Sequence, residues 1–284
     1  MTSGTVLFPP DLERRFSGLA RLYGVAGARR IREAHIVVVG LGGVGSWAAE
    51  AAARSGVARL TLIDFDHIAE SNINRQVHAL DSTLGQAKVL AMRDRIAAIH
   101  PACQVDCIEE FVDESNWPGL LALDSSFDGK QLAVIDACDQ VRAKTAMAAW
   151  AIRSRTTLIS VGAAGGKRLA HRVDIEDLSL VTHDPLLAQL RYRLRKQHGA
   201  SRKGKIGVAC VFSREPVLQP AAVNSLDEQE DSNAEALAMQ CDAPLQGVTQ
   251  SDGSLNCHGY GSVVSVTSTF GLCATGWVLS KIAG

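Results

Sequence analysis

A chain of 284 residues can form one large domain or two small ones and bury most of the apolar surface it exposes when unfolded. Its 46% apolar and 21% charged residues exclude a disordered or collagen-like polymer, which has too little apolar area to offset backbone ordering. A formal net charge of -1, taken over the whole chain, excludes a histone-like polycation. After a helical arm over residues 1–30, short apolar runs alternate with helical patterns, which predicts βαβ units and a mostly parallel sheet. His35 to Val39 reads as a buried strand, Val44 to Arg54 as an Ala-rich helix stopped by Gly56, and Leu60 to Ile63 as the second strand. The polar loop HIAESNINRQVHA follows, then a helix over Leu84 to Ile99 with Asp81 and Ser82 as cap candidates and Pro101 beyond its end. Gln131 to Ile135 is a strand, Val141 to Arg153 a helix, and Leu158 to Val161 a strand entering GAAGGK. Further strands are expected near Arg172 to Ile175, Gly207 to Phe212 and Gly261 to Val266. The fold class is therefore α/β: a Rossmann-like, mostly parallel sheet with helices on both faces and a C-terminal β/α extension. The whole chain, 1–284, reads as a single domain, with a first half over 31–165 and a second half over 166–284.

Two features qualify the bulk numbers. From Gly253 to Ser280 the chain carries no Asp, Glu, Lys or Arg, yet its many Ser and Thr with Gly271 and Gly276 give a weak hydropathy signal, so a buried strand and core helix is expected rather than a membrane span. The charge is also divided. The last 70 residues hold one Lys and eight acids, a net of -7, with an acidic loop expected over Val223 to Ala236; the first 214 carry +6. Within that basic part, RYRLRKQHGASRKGK contributes Arg191, Arg193, Arg195, Lys196, Arg202, Lys203 and Lys205 without one acid. Such a run can neutralise several phosphates and release their counterions, and equally suits a solvated helix face followed by a loop. Seven Cys without a CxxC pair fit reduced thiols in the cytoplasm rather than a disulfide framework or a zinc knuckle. The start MTSGTVLFPPDLERR has no basic region followed by an apolar stretch, so no secretory signal is expected.

The sharpest motif is VVVGLGGVGSW, in which Gly40, Gly42 and Gly45 form G-x-G-x-x-G between strand and helix, with Gly43 in the same turn. Bare glycines let backbone N–H groups approach a phosphate at the positive end of the helix. Asp64, at the end of the second strand, is placed to accept ribose hydroxyls. NAD, FAD and ATP all satisfy this much. Asn72, Arg75, Lys88 and Asp139 lie on the next elements, whose C-terminal ends converge on one crevice in such a sheet. A triphosphate with a metal needs such cations and a carboxylate. Singly, Arg75 reads as a surface ion pair, Lys88 as a solvated helix residue and Asp139 as a helix cap.

GLGGVGSW, LIDFDHIAESNINRQ, the Lys 13 residues after Arg75 and the pair Cys138-Asp139 resemble the adenylating superfamily of ubiquitin-activating enzymes and the molybdopterin- and thiamine-pathway adenylyltransferases. The resemblance implies that the glycine loop holds phosphates, Asp64 the ribose, Asn72, Arg75 and Lys88 the ATP phosphates, and Asp139 a Mg²⁺ ion. It further implies a homodimer in which Arg21 of one subunit reaches the other subunit's ATP. RFSGLARLYG, NRQVHAL, KGKIGVACVFSREP and CHGYGSVV resemble the tRNA threonylcarbamoyladenosine dehydratase branch, from which the acidic stretch around Asp227 to Glu235 departs. That branch implies ATP-dependent activation of a threonine carboxylate in a tRNA anticodon loop, attack by a nitrogen of the same nucleoside, and net loss of water. No catalytic Cys is then needed, and Cys257 reads as structural or as a sulfur-relay thiol. Three alternatives stay open: adenylation of a sulfur-carrier C-terminus, a non-catalytic module binding tRNA or sulfur-transfer partners such as a cysteine desulfurase or a sulfur acceptor, and an NAD-linked oxidoreductase.

Overall fold

The computed structural model describes residues 10–121, 132–218 and 260–284; the acidic stretch 223–236 and Cys257 lie outside the described residues. In chain order the elements are α1 (Leu12–Arg32), β1 (His35–Val39), α2 (Gly45–Arg54), β2 (Arg59–Ile63), α3 (Lys88–Ile99), β3 (Gln104–Ile108), β4 (Leu132–Asp136), α4 (Val141–Ser154), β5 (Thr157–Val161), β6 (Val173–Asp177), α5 (Pro185–Gln197), β7 (Ala209–Ser213) and α6 (Val264–Ala283). The strands form one sheet in the order β3-β2-β1-β4-β5-β7-β6, parallel except where the edge strand β6 runs against β7. Successive residues of β1 serve opposite faces. Ile36 and Val38 join a core with α2, α3 and α6, while Val37 and Val39 join one with α4 and α5. The architecture is the Rossmann-like α/β sheet expected, and the strand order turns back between β1 and β4.

Two expectations are corrected. Residues Gly261 to Val266 are not a strand, because α6 begins at Val264. The β-branched run there favours a strand on propensity, but Val266, Phe270, Ala274 and Val278 recur at helical spacing and are all buried, and that packing decides. Gly271 presses against the carbonyl of Val44 so closely that a Cβ would overlap it, while Thr275 Oγ1 donates to Ala48 O at 3.0 Å. Gly271 and Thr275, two of the small and hydroxylic residues that weakened the membrane signal, thus lie in the seam between α6 and α2. Among the described residues no helix is long and apolar enough to cross a membrane. The second correction concerns α3, which starts at Lys88 rather than Leu84. Asp81 and Ser82 open a separate 3-10 turn, Asp81–Thr83. Leu84 has an extended ψ of 134° and Gly85 a φ of +79°, so the two helices cannot merge.

Candidate nucleotide site

The cleft opens where the strand order reverses, the place at which ligands bind in open α/β sheets. Three of the four predicted glycines, Gly40, Gly42 and Gly43, line it with Asp64, Arg75, Lys88 and Asp139. Each motif glycine has its own reason. At φ +85°, Gly40 would bring a Cβ within 2.9 Å of the Ala137 carbonyl oxygen, and Gly45, behind the lining, faces the Gly40 carbonyl with no room for one. At Gly42 nothing of the protein lies within 4 Å of a Cβ. The first and third glycines therefore serve the turn itself, and the second leaves bare backbone next to open space at the start of α2, where N–H groups and the helix dipole favour an anion.

Asp64 is nearly closed off. Its carboxylate accepts from Leu41 N at 2.5 Å and from Asp66 N at 2.8 Å. Burial raises its pKa above the ordinary value, opposed by Lys88 and by those two backbone donors. Lys88, buried at the first residue of α3, donates from Nζ to Asp66 Oδ2 at 2.7 Å and stands 3.9 Å from Asp64 Oδ1. The lysine is thus held between two carboxylates facing the cleft. Arg75 donates from Nη1 to Ser71 O at 2.6 Å and to Asn74 Oδ1 at 2.9 Å, and its methylenes pack by Gly43. Asn72 is not among the lining residues; its Oδ1 accepts from Ala69 N at 3.1 Å, so it shapes the loop that carries Arg75.

Below the Cys138-Asp139 turn lies a fully buried network. Lys144 Nζ donates to Asp136 Oδ1 at 3.0 Å and Val161 O at 2.7 Å, and Ser160 Oγ donates to Asp136 Oδ2 at 2.7 Å. Burial and the Asp136 carboxylate push the Cys138 thiol far up, so it is not poised as a nucleophile. Asp139 itself is exposed at the cleft. One or two carboxylates plus phosphate oxygens are the usual magnesium set, and Asp139 fits that role; among the described residues there is no group of three metal-ligating side chains.

Arg21 is exposed on α1 and is not among the lining residues of this cleft, with Leu22 and Val25 exposed beside it. Of the basic run, Arg191 Nη1 donates to Leu178 O and Val181 O at 2.9 Å each and Arg195 Nε to Ser201 O at 3.1 Å, so both are partly spent on structure. Arg193 is half-buried, and Lys196, Arg202, Lys203 and Lys205 are exposed. Sequence reasoning missed Asp66, which pairs with Lys88, and the tilted pair Phe65 and Phe111, ring centroids 4.8 Å apart at the cleft. The DFD spacing after β2 was a signal for Asp66. For Phe111, on the loop after the unpredicted β3, there was none.

Residues 15–183 match the ThiF family. The chain is 39% identical over 281 residues to a tRNA threonylcarbamoyladenosine dehydratase of Escherichia coli (strain K12), covering 98% of this chain and 97% of that protein. It is 37% identical over 275 residues to the enzyme of that name from Haemophilus influenzae, covering 96% and 94%. The solved structure of the E. coli tRNA N6-threonylcarbamoyladenosine dehydratase in complex with ATP matches with a TM-score of 0.77 at 36% identity, over 98% of this chain and 97% of that one. With a cleft of this kind and a likeness that runs the length of both chains, the protein belongs to the ThiF family, in the group of its tRNA threonylcarbamoyladenosine dehydratases.

Proposed function

We propose that this protein is an ATP-dependent enzyme that cyclises N6-threonylcarbamoyladenosine in a tRNA anticodon loop with net loss of water. The observation that carries the reading is the meeting of Gly42, Asp64, Arg75, Lys88 and Asp139 on one cleft at the strand-order reversal, in a chain alike from end to end to dehydratases of that name. A carboxylate is a poor electrophile. Joining one of its oxygens to the α-phosphorus of ATP releases pyrophosphate and gives a mixed anhydride. Attack on the acyl carbon by a nitrogen of the same nucleoside, with loss of its proton, then closes the ring and expels AMP.

The protein's part is positional and electrostatic. Backbone N–H groups at Gly42 and Gly43 and the start of α2 hold phosphates, and Asp64 accepts ribose hydroxyls. Lys88 and Arg75 offset charge that builds as pyrophosphate departs. Asp139 would hold Mg²⁺, which supplies further charge neutralisation when bound. Keeping the attacking atom and the acyl carbon on one nucleoside gives the proximity that a covalent enzyme intermediate would otherwise supply.

The finer assignments are part of the same proposal. A cytoplasmic homodimer would place Arg21 beside the second subunit's ATP; its exposure next to Leu22 at 74% and Val25 at 80% supports a contact there. Arg191, Arg193, Arg195, Lys196, Arg202, Lys203 and Lys205 would face tRNA, with Arg191 and Arg195 acting mainly as scaffold. Sulfur-transfer proteins remain candidate partners. ATP–pyrophosphate exchange decides between substrates: it should require tRNA bearing the threonylcarbamoyl group, whereas exchange that needs a small Gly-Gly-tailed protein would assign the protein to sulfur-carrier activation.

A further inference from the structure

On the outer flank of α5, Tyr192, Lys196 and Arg202 border a hollow of about 450 Å³ completed by Ala188, Arg191 and Arg195. Its chemistry is unusual for a solvated helix face. Tyr192 is 62% exposed, a large flat ring left in water, and Lys196 Nζ stands 5.6 Å from its centroid. The stretch from Arg191 to Lys205 holds no acid, and no ion pair among the described residues involves it. The wall is fixed in advance: Arg191 is tied to the carbonyls of Leu178 and Val181, and Arg195 draws the Ser201 carbonyl, and with it Arg202, back onto the helix. Cations alone would serve any polyanion. An exposed π face among them adds a site for another flat ring.

The helix that carries the hollow also reaches the cleft. The hollow shares Ala188 and Arg191 with a second hollow whose lining includes Asp184. Asp184 Oδ2 accepts from Ala163 N at 2.9 Å, and Ala163 lines the nucleotide cleft, as does Leu186 at the start of α5. Tyr192 is six residues beyond Leu186, about 9 Å along the helix axis, within reach of a few nucleotides of single strand.

We propose that the hollow beside Tyr192 is a nucleobase-stacking subsite for an unpaired nucleotide near the reacting one, with Lys196 and Arg202 taking adjoining phosphates. The subsite rests on the RNA reading above and adds the demand that the bound strand be unpaired, since bases in a duplex have no free face to offer.

Binding of an anticodon stem-loop RNA and of a blunt duplex of equal length to the full chain, measured across a salt series, tests it. Stacking on an aromatic ring is worth about 1–3 kcal/mol per base, or about 5- to 150-fold. Tyr192→Ala should lose stem-loop affinity in that range, leave duplex binding and the salt slope unchanged, and be rescued by Tyr192→Phe. Lys196→Glu and Arg202→Glu should weaken both RNAs and flatten the salt slope. Wild-type preference for the stem-loop with Tyr192→Ala unaffected, or equal losses on both RNAs, would overturn the subsite alone. A polyglutamate peptide that displaces the stem-loop as well as RNA does would reassign the hollow to an acidic protein. Should the wild type bind neither RNA and form no cyclised product, the RNA reading and the subsite fall together.

Discussion

Gly45 sets its α-carbon against the carbonyl of Gly40 so tightly that the turn between β1 and α2 has no space for a Cβ, while a Cβ at Gly42, between them, would meet nothing within 4 Å. The two positions should therefore fail differently. Gly45→Ala forces the turn apart and is expected to cost about 1–3 kcal/mol in unfolding free energy, with ATP binding lost as well. Gly42→Ala should stay within about 0.5 kcal/mol of wild type and still bind ATP weakly, because its methyl group takes the place of the phosphate. Urea unfolding and nucleotide titration on both variants separate these outcomes; equal destabilisation would contradict the division of labour.

Lys88 is held by Asp66 and Asp64 where it lines the cleft. Lys88→Met should lower ATP–pyrophosphate exchange by about 10²- to 10³-fold, the loss typical of one preorganised charge-stabilising donor. It should also alter the pH profile. Burial raises the Asp64 pKa and Lys88 opposes that rise, so without the lysine Asp64 takes up a proton at higher pH, and the acid limb of ATP binding should move upward. An unmoved limb would separate Lys88 from Asp64.

His78 is buried, and neither ring nitrogen has a hydrogen-bond partner among the described residues. Burial first, then the charges of Lys88 and Arg95, bring its pKa from 6.5 down to about 4. The unfolded chain therefore binds the proton more readily than the native one between those values, so the contribution of His78 is complete above pH 6.5 and falls as pH drops toward 4. Between pH 7 and 5 the wild type should lose about 2 kcal/mol more than His78→Leu. Denaturant midpoints at the two pH values measure the difference, and identical pH dependence would show that His78 does not titrate this way.

Lys144 and Asp136 form a fully buried pair, 3.0 Å apart. Removing one charge strands the other, at about 3–5 kcal/mol, whereas removing both costs far less. Lys144→Met should accordingly be severe and the double variant Lys144→Met/Asp136→Leu milder than the sum of its parts. The double-mutant cycle is the measurement, and additive losses would count against a coupled pair.

The sheet was legible because β1, β2, β4 and β5 are short apolar runs buried on both faces, and because Gly40, Gly42 and Gly45, spaced as they are between a strand and a helix, mark a tight turn. Asp64, Arg75, Lys88 and Asp139 could be placed from topology alone, since all follow strand ends at one edge. Besides Asp66 and the pair Phe65 and Phe111, three things were hidden. β3 has only half-buried residues after an exposed Gln104, too polar to stand out. The start of α6 carries β-branched residues whose helical state depends on contact with α2. Tyr192 was invisible among cations, because nothing in the order of residues says that its ring stays in water.

The central claim is tested most directly by supplying the purified enzyme with ATP, Mg²⁺ and tRNA whose threonine carboxylate carries heavy oxygen, then analysing nucleosides and nucleotides by mass spectrometry. Activation of the carboxylate by AMP predicts a nucleoside lighter by one water and AMP carrying one heavy oxygen, in equal amounts. An unchanged nucleoside, or a lighter one accompanied by unlabelled AMP, would contradict it.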